Sequence, residues 1–398
     1  MDKTYFTNNY PTVFIHGILG VDPAAGFSRY IYRYFGSFTK DLIKYLNDEG
    51  FETYQPGLGP FNCVWDRCCE LWAYLFGGTV DYGKVHSERF GHARYGRTYP
   101  GVLKDLGTEG DHEKMHLIGH SYGGPTVCLF SSMMAIGDAE EVAATPANEL
   151  SEFFKGGHEQ MLASVTTLSG TNNGTSLIEF MGDTVVHAVT RGVLTANAFF
   201  GRSKSAMSFL DIYTDHYGIM EDPSKLQGNI FGISKEAKAG IDAWDSNFIG
   251  SIGFEMGVKA SHILLKDMVT NPDVYYFARR ASRAHKRADG KFRANHIIDP
   301  LFIPTSMLIG SYTNKAAGIE GDSWHYSDGM VPVEGQSAPH GQPAKEWIPG
   351  MPYEKGIWHN MPVVPKDHQT WAGMFTGKDQ YFSEFTQLLT ELHCLADV

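Results

Sequence analysis

The strongest constraint in this sequence is a serine framed by glycines where the chain has to turn sharply. Gly119-His120-Ser121-Tyr122-Gly123 follows a short apolar run, Met115-His116-Leu117-Ile118, and leads into a helix-like stretch from Thr126 to Met134. A strand that ends in Gly-x-Ser-x-Gly and continues as a helix has a specific mechanical use. The serine sits on a strained turn with its hydroxyl exposed, and the flanking glycines let strand and helix pass close to it. The five-residue pattern alone also fits an ordinary glycine-rich turn. The strand before it and the helix after it are the context that favours a nucleophile.

The rest of the chain repeats that alternation. Thr12-Val13-Phe14-Ile15 is a short β-branched and aromatic run stopped by His16-Gly17, which reads as a buried strand ending in a tight turn. Phe38 to Leu46 has helical spacing, as do residues 175–200 through Leu177, Ile178, Met181, Val185, Val189, Val193 and Leu194. Val165 to Leu168, Val274 to Phe277 and Ser306 to Ile309 read as further strands. Short apolar strands between helical stretches predict an α/β fold, a mostly parallel central sheet covered by helices. Residues 56–112, rich in Gly, Trp, Tyr and His, show poor periodicity and read as an irregular insertion. No clean linker appears, so the expectation is one domain over 1–398, with insertions at 56–112 and 172–262.

Composition narrows the function. With 398 residues, 42% of them hydrophobic, the chain can bury a sizeable core. A net charge of −12 repels polyanions and argues against nucleic acid as a partner. No apolar run is long enough to cross a bilayer. The opening residues lack the apolar stretch of a signal peptide, although a mature secreted form would look the same. The five cysteines, Cys63, Cys68, Cys69, Cys128 and Cys394, contain no Cys-x-x-Cys pair and read as buried thiols. There is no internal repeat.

A serine hydroxyl attacks only when a base takes its proton, and in a strand-turn-helix elbow the chain order is Ser, then Asp or Glu, then His. Asp328, in Ser327-Asp328-Gly329-Met330-Val331-Pro332, and His368, in Lys366-Asp367-His368-Gln369 before a last helix, fit that order. His325, His340 and His359 compete with His368, and Asp322 and Asp367 with Asp328. The oxyanion formed on attack needs two preformed N–H donors. The expected donors are Tyr122, which follows the nucleophile, and Ile18, in the turn after the first strand.

Several longer segments are specific enough to name a family. The chain resembles the zinc-containing bacterial lipases of family I.5, the Geobacillus and staphylococcal type, in Pro11-Thr12-Val13-Phe14-Ile15-His16-Gly17 and in Val64-Trp65-Asp66-Arg67-Cys68-Cys69-Glu70. It is similar again in Gly78-Thr79-Val80-Asp81-Tyr82-Gly83, in Gly91 to Pro100, in Ser164 to Thr167 and in Asn173 to Leu177. The resemblance implies an α/β-hydrolase fold and a carboxylic-ester hydrolase, a triacylglycerol lipase, with the triad Ser121, Asp328 and His368. It implies a structural zinc on Asp66, His86, His92 and Glu255, where Glu255 replaces an Asp of the relatives. Two imidazoles and two carboxylates would close a tetrahedral site. It also implies that Gly174 to Phe200 forms a lid, that the substrate is an ester lipid at an oil–water interface, and that the protein is secreted. The relatives bind Ca²⁺ near the catalytic histidine. Here Thr370 stands where they have Glu, and their Asp falls near Phe375 or Thr376, so the calcium site is expected to be absent or weak. The rival readings are an esterase on short-chain or polymeric esters, a hydrolase in which zinc does the chemistry, and a binding protein on a decayed hydrolase scaffold.

Overall fold

The structure is a computed structural model and describes residues 4–18, 20, 32–200, 213–219, 233–246, 255–295 and 300–396. Eleven strands are present among them: β1 (Thr12–Ile15), β2 (Thr53–Tyr54), β3 (Gly78–Asp81), β4 (Tyr95–Tyr99), β5 (Met115–His120), β6 (Leu162–Leu168), β7 (Tyr275–Arg279), β8 (Ala284–Lys286), β9 (Phe292–Ala294), β10 (Ala344–Glu346) and β11 (Trp358–Asn360). Seven form one sheet in the order β10-β11-β7-β6-β5-β1-β2. Every pairing in it is parallel. The helices used below are α1 (Leu42–Asp48), α2 (Val64–Phe76), α3 (Lys84–Phe90), α4 (Gly123–Ile136), α5 (Ser176–Phe200), α6 (Lys235–Ser246), α7 (Val258–Leu265), α8 (Ile303–Ile309) and α9 (Lys378–His393).

The apolar runs are continuous because the central strands are buried on both faces. Successive side chains point to opposite sides of a strand. Val13, Ile15, Leu117, Val165 and Tyr276 accordingly join the core that includes Val64, Cys68 and Leu71 of α2 and Val127 and Phe130 of α4. Their neighbours Phe14, Ile118, Leu168 and Phe277 join a second core with Leu42 and Leu46 of α1 and Phe385 and Leu389 of α9. Each fully buried Leu, Val or Phe contributes roughly 1.5–3 kcal/mol, so the two layers hold β5 and β6 from both sides. The carboxyl ends of those strands carry the elbow and the loops that complete it.

The structure alters three element assignments. Ser306 to Ile309, expected as a strand, is the end of helix α8, with Pro304 in its first turn. A four-residue apolar run looks the same in either element, and proline's fixed φ suits a helix start. The segment 56–112 is more regular than its composition implies. It holds α2, whose Val64, Cys68, Leu71 and Leu75 are buried, the short helix α3, and the antiparallel β3–β4 hairpin. Buried polar side chains such as Asp66, Arg67 and Glu70 interrupt the apolar stripe of α2 and hide its period. The helix expected over 38–46 starts at Leu42, where the Asp41 carboxylate accepts the Lys44 N–H at 3.0 Å, a side-chain cap. The long helical stretch after residue 175 is α5, broken by Gly182 at φ 72°. Val186, Leu194 and Ala198 are buried, while Phe180, Val185 and Val189 are exposed.

Candidate functional site

Ser121 sits at the tip of β5 with φ 59°, a left-handed conformation that is unusual for a residue with a side chain. Its neighbours enforce it. The Ser121 N–H donates to Leu168 O at 3.1 Å, and its carbonyl accepts from Gly124 N–H at 2.9 Å and from Thr171 N–H at 3.1 Å. The glycines are required by contact. A Cβ on Gly119 would lie 2.2 Å from Gly123 O, and one on Gly123 would lie 2.3 Å from Ile15 O.

Of the four candidate histidines His368 is the one that lies beside Ser121, and of the three candidate acids Asp328 is the one that lies beside His368. His368 Nδ1 lies 2.7 Å from Asp328 Oδ2, and Nε2 lies 2.8 Å from Ser121 Oγ. A carboxylate accepts only, which puts the imidazole proton on Nδ1 and leaves the Nε2 lone pair for the serine O–H. Asp328 is fully buried. Its Oδ1 accepts the Met330 and Val331 N–H groups at 2.9 and 2.8 Å, and its backbone carbonyl accepts the His368 N–H at 2.9 Å. The competing groups are engaged elsewhere. His359 bonds Tyr276 O and the Glu354 N–H, His325 Nε2 faces Tyr312 O, and His340 stacks on His262. Asp322 pairs with Lys286, and Asp367 caps its own turn through the Thr370 N–H and hydroxyl.

The loop after β1 lies against Ser121. A Cβ on Gly17 would come within 2.6 Å of the Ser121 Cβ, so Ile18 follows directly on a residue in contact with the elbow. Tyr122, the other expected donor, stands at the N-terminus of α4, where backbone N–H groups and the helix dipole favour negative charge.

Several supporting residues carry no sequence signal of their own. Arg67 is wholly buried. It donates to His16 O, to Gly59 O at 2.8 Å and to Thr126 Oγ1 at 3.0 Å, and lies over the Tyr122 ring. It therefore ties the loop after β1 to the helix after the nucleophile. His120 Nε2 lies 3.0 Å from the His368 carbonyl, and its Nδ1 lies 2.8 Å from the Tyr34 hydroxyl. Trp371 Nε1–H donates to Ser169 Oγ, which donates to Gln336 Oε1. Gln336 in turn donates to Val331 O and Ala281 O, so the loops bearing Asp328 and His368 are pinned to the end of β6. Only local contact in the fold reveals these roles.

A second polar cluster surrounds Asp66, which is fully buried in the first turn of α2. His86 Nε2 lies 3.0 Å from its Oδ1, and His92 Nε2 lies 3.9 Å from the same oxygen. Cys63, Asp66 and His86 place their donor atoms within 4.8 Å of one another, an arrangement that could hold a metal ion. Burial alone would raise the Asp66 carboxyl, but the His92, His216 and His86 imidazoles override it and hold the group well below its ordinary value. His92 Nδ1 faces the Ala93 carbonyl at 2.9 Å, so Nδ1 carries the proton and the Nε2 lone pair points toward a carboxylate. That buried Nε2 has no hydrogen-bond partner among the described residues. Two acceptors facing each other in a buried site suit a bound cation, and the residues fit zinc. Glu255, the fourth ligand expected from the sequence, uses one of its carboxylate oxygens elsewhere. Its Oε2 accepts the Val64 N–H at 2.8 Å and the Tyr122 hydroxyl. Its longer side chain carries the carboxylate to the nucleophile helix, and burial raises its pKa to about 8.

The family model described as the lipase-like C-terminal domain matches residues 8–394. Lipase 2 of Staphylococcus aureus is 30% identical over 371 residues, which span 92% of this chain and 51% of that protein. The chain thus spans about half the length of the curated relatives it matches. Among solved structures, EstA from Clostridium botulinum is 30% identical with a TM-score of 0.80, over 99% of this chain and 89% of that one. The lipase of Staphylococcus hyicus is 26% identical with a TM-score of 0.82, over 98% of each chain.

Proposed function

The chain belongs to the lipase-like C-terminal domain family, and from that premise we propose that it is a serine carboxylic-ester hydrolase, a triacylglycerol lipase. The observation that carries this reading is the continuous contact from Asp328 through His368 to Ser121, at 2.7 and 2.8 Å. Ser121 Oγ attacks the ester carbonyl carbon while His368 Nε2 takes its proton. Asp328 holds the imidazole in the required tautomer and stabilises the imidazolium. The Tyr122 and Ile18 N–H groups receive the oxyanion. Collapse expels the alcohol, which takes the proton from His368 and leaves Ser121 acylated. Water then attacks the acyl carbon while His368 takes its proton, and that proton passes to Ser121 Oγ as the bond to the acyl group breaks and the acid leaves.

In this reading the metal site is structural. Asp66, His86 and His92 would hold zinc, which when bound ties the 56–112 insertion together. A calcium site beside His368 would be absent or weak, because Thr370 stands where the relatives have Glu. Helix α5 serves as the lid. Its Phe180, Val185 and Val189 are exposed and could face lipid, as an interfacial helix does. The enzyme would act outside the cell on dispersed lipid. No helix among the described residues is long and apolar enough to cross a membrane.

The test is Ser121→Ala, assayed on p-nitrophenyl esters with folding checked by circular dichroism. Turnover should fall to background with the spectrum intact, and retained turnover refutes the assignment. A panel of acyl chains above and below their solubility limits separates lipase from esterase by a rate jump on emulsion.

A further inference from the structure

We infer that the metal site of this chain takes His216 as its fourth protein donor in place of Glu255, giving one carboxylate and three imidazoles. The inference rests on the proposal that the cluster around Asp66 binds zinc, and goes beyond it by reassigning the donors. His216 Nε2 lies 3.2 Å from Asp66 Oδ2, on the oxygen that His86 and His92 leave open. Its side chain is 1% exposed, those of Asp66 and His92 are 0% and that of His86 is 9%. Three imidazole Nε2 atoms thus surround one buried carboxylate.

The segment that delivers His216 is anchored to the other ligands. The Ala93 N–H donates to the His216 carbonyl at 2.8 Å, which places His216 beside the residue that follows His92. Asp215 pairs with Arg97 of β4, and the His216 ring packs on Tyr82 at 4.4 Å between centroids. His92 and His216 also meet edge to face at 4.9 Å. The His216 turn and the β3–β4 hairpin are therefore one packed unit, and a metal there would join the two insertions.

One oxygen of Glu255 and the Cys63 thiol already serve other groups. Glu255 Oε2 already accepts two hydrogen bonds, from the Val64 N–H and the Tyr122 hydroxyl. Cys63 is the cap of α2, with its Sγ accepting the Asp66 N–H at 3.4 Å. Four donors of the type Asp-His-His-His fill a tetrahedral zinc site with hard oxygen and borderline nitrogen ligands and no sulfur. Glu255 is then free to hold the ring of Tyr122, whose backbone N–H is a proposed oxyanion donor.

The experiment uses the whole chain, loaded with Zn²⁺ and freed of excess. X-ray absorption at the zinc edge should show four nitrogen or oxygen donors, three of them with imidazole scattering, and no sulfur shell. Competition against a chelating dye should show His216→Asn weakening zinc by at least the roughly 10–100-fold that even an outer-shell partner costs, with Glu255→Gln within about threefold of the unaltered chain. Two imidazoles, a sulfur shell near ~2.3 Å, or zinc loss in the Glu255 variant alone overturns the assignment, as does failure of the unaltered chain to retain zinc. Should the His216 variant not fold, the absorption spectrum of the unaltered chain still decides. Labelling Ser121 with a phosphonate, run in parallel, reports on the catalytic reading independently of the metal.

Discussion

Replacing His120 tests how the base is held in place. His120 is fully buried. Desolvation, followed by the proximity of His368, keeps its imidazole well below its ordinary pKa and so neutral. The His368 carbonyl at 3.0 Å can only accept, so Nε2 carries the proton, and Nδ1 accepts from the Tyr34 hydroxyl at 2.8 Å. His120→Leu keeps comparable bulk and takes from two buried groups, the Tyr34 O–H and the His368 C=O, the partner that His120 supplies. Each orphan costs about 1–3 kcal/mol, so the expected loss is roughly 2–6 kcal/mol from a total that is about 5–15 kcal/mol for a typical protein. The remaining backbone anchor, His368 N–H to Asp328 O at 2.9 Å, still tethers the loop. Misplacement of the proposed base should therefore lower kcat by about 10- to 100-fold, with KM nearly unchanged because His120 is wholly buried. His120→Gln, which can restore a donor, should recover part of both losses. Urea unfolding gives the stability, p-nitrophenyl butyrate hydrolysis gives kcat and KM, and a phosphonate titration counts intact sites. An unfolding midpoint and kcat for His120→Leu equal to those of the unaltered chain would show that this contact neither stabilises nor positions anything.

Two further changes probe other links. Gly123→Ala puts a methyl 2.3 Å from Ile15 O and 3.0 Å from His16 O, both backbone atoms that cannot rotate away. It should cost about 3 kcal/mol or more and cripple turnover, and a stable, active variant would contradict the close-approach argument. His112 bridges Glu52 at 3.0 Å and Asp105 at 2.7 Å, and those hydrogen bonds raise its pKa. A raised histidine pKa contributes stability that is complete below the unfolded value of about 6.5 and is lost as pH climbs through the folded value. His112→Ala should lower the melting temperature more at pH 5.5 than at pH 8.5. A deficit that is equal at both, or larger at the alkaline end, removes the ion-pair explanation.

The local part of this protein is legible in its sequence. Gly119-x-Ser121-x-Gly123 between an apolar strand and a helix is a steric statement, and the 2.2 Å approach of a Gly119 Cβ to Gly123 O is its physical content. The strands β1, β5, β6 and β7 were legible too, because burial on both faces favours short runs rich in apolar and β-branched residues. The edge strand β10 and its neighbour β11 were not, since at three residues each they carry too little pattern. Ser306 to Ile309 misled because four apolar residues suit a strand or a helix turn equally well.

Pairings across the chain belong to the tertiary structure. Spacing could not separate His368 from His325, His340 and His359. The family resemblance named His368, and the fold brings it to a serine 247 positions away. The same holds for Asp66, which meets His216 across 150 positions, while Glu255, assigned to the metal by analogy, turns to Tyr122. A turn or a strand is decided by sterics within a few residues. A contact between distant side chains is decided by how whole layers pack, and sequence neighbours carry no record of it. The sequence by itself therefore determined the serine turn and the sheet that presents it, and only the packed layers decided which groups surround them.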